Sequence, residues 1–295
     1  MPIKKRLLAA QEQQLLREIL QTATLAALMD ARRWQPGDLA FQGGTSLHLA
    51  YGSVRFSEDL DFLVRGGLSL AGLAKQVQNK LRLPPDIAAD LRVSVSPSKD
   101  LRNPHMFYVT LSGPQVLGSA KVKVALWQAQ PDSLKGLAIK VSTLRSAAGQ
   151  AFVPTLTLDE IFADKVYALG ARARVKPRDV FDLWWLSEKA SFTLTAQALH
   201  NRLAIYPAGG GVLADTAAAW LANAAVRLQD LQAQDAPAWL AADLKRWLPS
   251  FWLMDEAQAA RMLAVAMANL QNGMQRMQIL QSTLGTADAS KGYSA

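Results

Sequence analysis

The stretch Phe41-Gln42-Gly43-Gly44-Thr45-Ser46, followed by Arg55-Phe56-Ser57-Glu58 and Asp59-Leu60-Asp61-Phe62-Leu63-Val64, constrains this chain more than any other. Residues 39–42 read as a short extended run, two glycines turn it, and Thr45 and Ser46 open a short helix that ends near Tyr51-Gly52. Residues 59–64 alternate like a strand, with Leu60, Phe62 and Val64 on one face and Asp59, Asp61 and Leu63 on the other. Such a strand–helix–strand unit needs a sheet to lie in. Further strands are expected around residues 91–96, 106–111 and 118–127, with a helix over 69–82 that ends before Pro84-Pro85. A long helix over 4–31 carries Leu7, Leu8, Leu15, Leu16, Ile19, Leu20, Leu25 and Leu28 at helical spacing. The first 150 residues therefore read as an α+β core with a mixed sheet and an N-terminal helix.

Beyond residue 157 the pattern turns helical. Thr157-Leu158-Asp159-Glu160 fits a capping box, in which the Thr hydroxyl and the Glu carboxylate satisfy each other's free backbone amides. That helix is expected to reach about residue 175, where Lys176-Pro177 interrupts it, and a second over 178–189 carries Trp184-Trp185. Alanine-rich helices over 194–205, 213–233, 237–247 and 254–283 complete a bundle, and the small polar residues 286–295 read as frayed. The division expected is residues 1–150 as core and 151–295 as a helical region contributing to an active-site cleft.

Composition removes several chemistries. The 295 residues include no cysteine, which excludes disulfides, thiol nucleophiles and cysteine-bound zinc. The three histidines, His48, His105 and His200, are too scattered to build a metal site. The basic start runs at once into Gln11-Glu12-Gln13-Gln14, unlike a signal peptide. No window reaches the roughly 18 uninterrupted apolar residues of a spanning helix, so a cytoplasmic protein without a membrane partner is expected. Charge is uneven: residues 1–190 hold 25 Lys+Arg against 17 Asp+Glu, and residues 191–295 hold 7 of each. A polyanion would dock on the first two thirds. The run Lys165, Arg172, Arg174, Lys176, Arg178 reads either as a steering surface for RNA or as a solvated helix face.

The opening segment also carries the chemistry. Glycines let backbone approach a ligand, and free amides at a helix start, with the Thr45 and Ser46 hydroxyls, suit a phosphate. Asp59 and Asp61, two residues apart on a strand, point to the same side. Crowded carboxylates repel unless a cation sits between them, and Mg²⁺ takes hard oxygen ligands together with phosphate oxygens. Asp-x-Asp alone is common on surface strands and Gly-Gly in turns. In this order they point to metal-assisted attack on a nucleotide phosphorus. In the second block, Lys165 and Arg172 lie seven residues apart and share a helix face. Asp179 or Asp182 either holds Lys165 by an ion pair or helps activate the attacking hydroxyl. The purely local reading makes Asp179 a helix-start residue and pairs Arg178 with Asp182 at i, i+4. The tryptophans of the helical half, Trp220, Trp239, Trp247 and Trp252, read as core rather than as base-stacking platforms, and His48 as a partly buried, satisfied side chain.

Gly43-Gly44-Thr45-x-Leu47, Tyr51, Arg55-x-Ser57 and Asp59-Leu60-Asp61-Phe62 resemble the AbiEii/AbiGii-type nucleotidyltransferase toxins of type IV toxin–antitoxin systems, within the polymerase-β-like nucleotidyltransferase superfamily. A second block resembles the same family: Leu158-Asp159-Glu160-Ile161, Lys165, Ala168-Leu169, Arg172 and Arg178-Asp179-x-x-Asp182-Leu183. The likeness is close over residues 38–65 and 155–187. It implies a polymerase-β-like core followed by a helical bundle, with Mg²⁺ on Asp59 and Asp61. Gly43, Gly44, Thr45 and Arg55 would hold a nucleoside triphosphate, with Ser57 either a further contact or a positioner of the turn. Lys165, Asp179 and Asp182 match the family's other activity-critical positions.

The resemblance further implies transfer of a nucleoside monophosphate to an acceptor hydroxyl, with the tRNA 3′ end as favoured acceptor. Growth arrest or phage defence would follow, with a cognate antitoxin encoded nearby. Protein or small-molecule nucleotidylation, and a catalytically silent nucleotide- or RNA-binding relative, are the alternatives. One departure stands out. The family commonly carries an acid on a neighbouring strand where this chain has Lys123, in Lys121-Val122-Lys123-Val124. Lysine there weakens a second metal or a general base, and reads either as a charge for phosphate or as a solvated edge-strand residue.

Overall fold

A computed structural model describes residues 5–100, 102–146, 149–206 and 216–291. The chain forms two compact units: Met1–Gly52, Ser57–Lys135 and Ile139–Leu156 in the first, and Ser53–Phe56, Gly136–Ala138 and Thr157–Ala295 in the second.

The first unit contains β1 (Arg6–Leu7), α1 (Ala10–Ala31), β2 (Leu39–Gln42), α2 (Gly43–Tyr51), β3 (Leu60–Arg65) and α3 (Leu73–Lys80). There follow α4 (Pro85–Asp90), β4 (Arg92–Pro97), β5 (His105–Ser112), β6 (Val116–Leu117), β7 (Ala120–Ala129), β8 (Ile139–Ser146) and β9 (Gly149–Leu156). Seven strands form one sheet in the order β4-β5-β7-β3-β2-β9-β8. The β3–β7 and β2–β9 pairs are parallel and the others antiparallel, so the sheet is mixed as the sequence predicts. The apolar alternation decides what faces inward. Leu60, Phe62 and Val64 join Phe107, Val109, Val122 and Val124 in the core, under Leu16, Leu20, Leu25 and Leu28 of α1. Phe41 and Phe62, directly opposite one another on β2 and β3, pack with ring centroids 5.1 Å apart. Leu63 is also buried, because the sheet is covered on its other face at that point.

Three local readings need correction in this unit. The helix expected over 4–31 begins only at Ala10, because Arg6–Leu7 pair in parallel with Val116–Leu117. Residues 139–156, for which no strand is expected, form the β8–β9 hairpin, and α4 was likewise unexpected. Lys121 and Lys123 stand on β7, which is flanked by β5 and β3, so neither is an edge-strand lysine.

The second unit is helical: α5 (Leu158–Ala171), α6 (Pro177–Lys189), α7 (Ala196–Ile205), α8 (Ala217–Gln232), α9 (Ala236–Leu244) and α10 (Glu256–Lys291). α10 packs against each of the other five. Trp220 of α8 is fully buried and donates its indole N–H to the Tyr167 carbonyl at 2.9 Å. Two glycines make room for it: a Cβ on Gly170 would lie 2.4 Å from the Trp220 ring, and one on Gly273 would lie 3.2 Å from it and 2.8 Å from Val166. A buried Arg202 is held by Glu160 at 2.5 Å and Asp164 at 2.8 Å.

That arginine explains why the capping box does not form. Glu160 turns to Arg202 and to the Ala138 amide, and the buried Thr157 hydroxyl has no partner among the described residues. Hydroxyl caps occur instead at Thr195 and Thr216, on the amides of Ala198 and Ala219. α5 stops at Ala171, short of the expected 175. α10 continues to Lys291 and so takes in residues that composition marks as frayed; residues 213–215 and 292–295 of the expected elements lie outside the described residues. Among the described residues no helix is long and apolar enough to cross a membrane.

Candidate active site

In the first unit the site is built where β2 ends, α2 starts and β3 begins. β2 and β3 run antiparallel with Gln42 opposite Asp61, which brings the Gly43 turn beside the Asp61 carboxylate. Gly43 has φ 79°, and a Cβ there would lie 3.1 Å from Asp61 Oδ2. The positive φ favours glycine, and a side chain there would press on the Asp61 carboxylate. Gly44 lies within the first turn of α2. The Thr45 hydroxyl donates to the Asp59 carbonyl, and the Ser46 hydroxyl donates to the Gly43 carbonyl at 2.8 Å. Both hydroxyls are thus engaged in fixing the turn, leaving the backbone amides of the helix start as its anion donors.

The parallel register of β3 and β7 sets Leu60 opposite Val124 and Asp61 opposite Ala125. One step back along both strands, the Lys123 ammonium meets Asp59 Oδ2 at 2.7 Å, with both side chains about one-third exposed. Burial works against the charge on Lys123, but the hydrogen bond to Asp59 and the charges of Asp59 and Asp61 outweigh it, and its pKa is raised. Lys121 lies over the Tyr108 ring, 4.0 Å from its centroid. Before β3, Ser57 is buried and its carbonyl accepts a hydrogen bond from Gln21 of α1 at 2.8 Å. His48 faces Glu18 at 3.3 Å, in keeping with a satisfied side chain.

The second unit holds a denser ionic cluster. Asp182 accepts a two-pronged contact from Arg55, through Nε and Nη2 at 2.8 Å each, and an ion pair from Lys165 at 2.7 Å. The Lys165 ammonium also reaches Asp179 Oδ1 at 2.8 Å, and Arg172 pairs with the other oxygen of Asp179. Three cations thus share two buried carboxylates. Burial pushes both acids toward neutrality, yet Arg172 and Lys165 hold Asp179, and Arg55 and Lys165 hold Asp182, below the usual carboxylate range. Burial likewise works against the charge on Lys165, but Asp179 and Asp182 keep its pKa raised. Lys176, at the start of α6, is pushed down to about 8, first by the charge of Arg172 and then by desolvation, with Arg178 and Lys165 adding to it.

The residues expected from sequence are therefore found in two settings. Gly43, Gly44, Thr45, Ser57, Asp59 and Asp61 are in the first unit, and Arg55, Lys165, Asp179 and Asp182 in the second. Lys165 and Arg172 do converge, since both reach Asp179, but not as one helix face: Arg172 is the C-cap beyond the end of α5, with extended backbone; both acids bind Lys165. Of the local alternatives, the helix-start reading of Asp179 holds, since Asp179 lies in the first turn of α6 with Lys176 at the N-cap, whereas Arg178 stacks on Trp247, 4.3 Å from the ring centroid, instead of pairing with Asp182. Trp220 and Trp247 are buried as expected, whereas Trp239 is exposed. Gln21 was not foreseen, because its role appears only once α1 is folded beside Ser57.

Asp59 and Asp61 fit a divalent ion by the chemistry of their donors, hard carboxylate oxygens, and a Cβ on Gly43 would crowd Asp61 Oδ2 at 3.1 Å. Among the described residues no group of three or more metal-binding side chains is present.

A mixed sheet with a glycine turn beside paired aspartates, followed by a set of helices, is the arrangement expected above of a nucleotidyltransferase. The family described as "Nucleotidyl transferase AbiEii toxin, Type IV TA system" matches residues 27–257, and the chain belongs to it. Membership implies a nucleoside triphosphate substrate and an antitoxin partner. Among solved structures, the fold is shared with JHP933 from Helicobacter pylori at 21% identity, covering 92% of this chain and 98% of that one with a TM-score of 0.50. MenT4, a nucleotidyltransferase toxin from Mycobacterium tuberculosis, is 21% identical over 89% of this chain and 94% of its own, with a TM-score of 0.47. No curated protein matches the chain.

Proposed function

We propose that this chain is a Mg²⁺-dependent cytoplasmic toxin that transfers a nucleoside monophosphate from a triphosphate to the 3′-terminal hydroxyl of tRNA. The outcome would be growth arrest or phage defence. The observation that carries the reading is the glycine turn beside the paired acids: a Cβ on Gly43 would lie 3.1 Å from Asp61 Oδ2, and Asp59, two residues earlier, already holds a cation, the Lys123 ammonium, at 2.7 Å. A divalent ion held by Asp59 and Asp61 would neutralise phosphate charge and polarise the α-phosphorus.

The chain's own residues supply position and charge. Backbone amides at the start of α2 offer donors to phosphate oxygens, at the turn that Thr45, Ser46 and Gly43 shape. Ser57, held through Gln21, sets the approach to Asp59. The acceptor oxygen bonds to the α-phosphorus as the bond to the bridging oxygen breaks; pyrophosphate leaves and the hydroxyl proton passes to water. In the second unit, Asp179 and Asp182 hold Lys165, and Asp179 also holds Arg172, so that both acids act as positioning residues for these cations. Arg55, with its Asp182 bond, belongs to the same framework rather than lying loose for the triphosphate. The basic balance of residues 1–190 suits an RNA acceptor.

Purified protein is incubated with Mg²⁺, tRNA and each of four labelled triphosphates in turn. Label on RNA is expected, reduced about 100-fold or more by Asp61→Ala, which removes a metal ligand. Label on polypeptide would transfer the reading to protein nucleotidylation. Unchanged labelling by the Asp61→Ala protein would end the metal mechanism.

A further inference from the structure

Asp59 is already paired. The parallel register of β3 and β7 fixes where Lys123 leaves the sheet, and its ammonium lies 2.7 Å from Asp59 Oδ2. β7 is an interior strand, with Tyr108 of β5 directly opposite Lys123 on its other side. The contact is therefore built into the sheet and does not depend on a surface loop. A divalent ion binds a carboxylate oxygen at roughly 2.1 Å. On the same oxygen, ion and ammonium would stand within about 5 Å of each other, where like charges repel strongly.

We propose that Lys123 is a tethered cation at the carboxylate pair, which a divalent ion must displace to reach Asp59, so that the metal arrives with the triphosphate and not before it. This rests on the reading of Asp59 and Asp61 as the metal ligands. The ammonium on Asp59 offsets one unit of the negative charge that would attract a free divalent ion. The triphosphate brings the negative charge that restores the attraction, and its phosphate oxygens give the displaced ammonium a new partner. Lys123 is on this account a positioning residue that makes metal loading depend on nucleotide.

The test is Mn²⁺ binding to the full chain, read by the loss of the free-ion paramagnetic resonance signal, with and without a non-hydrolysable triphosphate analogue. Without nucleotide, Lys123→Met is expected to bind Mn²⁺ about tenfold or more tightly than the parent, since one opposing charge is removed. Lys123→Arg keeps the charge and should stay as weak as the parent. With the analogue, parent and Lys123→Met should converge. Asp59→Asn in the Lys123→Met background should abolish the gain. Circular dichroism on each variant establishes that it is folded. Equal affinity of parent and folded Lys123→Met in the absence of nucleotide would overturn the proposal and leave the metal reading standing. Failure of every form to bind Mn²⁺, even with the analogue, would bring down both.

Discussion

The two ionic clusters are made of the same side-chain types and behave as opposites. Around Asp59 a single lysine meets a carboxylate that is one-third exposed to water, on a sheet whose hydrogen bonds hold without it. Around Asp179 and Asp182 three cations saturate two carboxylates that are almost wholly buried. Exposure decides the difference. A water-facing pair is weak and exchangeable, and can trade its lysine for another cation. A buried pair is costly to form and more costly to break, because whichever group remains is stranded without solvent. The first cluster is suited to changing partners during a reaction, the second to holding a cation still.

The sharpest way to break that contrast is Asp182→Ala, which strands the Arg55 guanidinium and leaves Lys165 with Asp179 alone. A loss of about 3–5 kcal/mol in unfolding free energy is expected from urea titration, and a loss under about 1 kcal/mol would mean that the cluster is no more structural than a surface pair. Gly43→Ala should cost about 1–2 kcal/mol through its positive φ alone, with the new Cβ also crowding Asp61 Oδ2. Its transfer rate should fall further than its stability, since the turn positions the metal ligands; loss of stability alone would make Gly43 a folding residue only.

The smallest effect concerns Lys176. Its pKa is lowered in the folded state to about 8, so the unfolded chain holds this proton more tightly. Its charge therefore opposes folding below about pH 8, and that opposition is relieved as pH rises from there toward the ordinary lysine value. Lys176→Met should raise the urea midpoint at pH 7 and lose the advantage by about pH 10. A midpoint shift independent of pH would show that packing, not charge, is responsible.

What could be read from sequence was local. The β2 turn, α2 and β3 follow from a glycine pair and a two-residue alternation, both visible within twenty-odd residues. The misreadings were each decided by a distant partner. Glu160 abandoned its cap for Arg202, and Arg55 met Asp182 across 127 positions of sequence. The β8–β9 hairpin was missed for the same reason: β9 gains its place beside β2 through a parallel contact between Phe41 and Thr155. Periodicity cannot announce a pairing whose other half lies a hundred residues away.

The notch that Gly170 and Gly273 cut for Trp220 works as an indexing pin for three helices at once. Sliding α5 or α10 by one residue would bring Leu169, Ala171, Asn272 or Met274 against the indole, and none of these leaves the hole. Helices rich in alanine offer many nearly equivalent ways to nest; here a single oversized ring and two missing side chains select one of them.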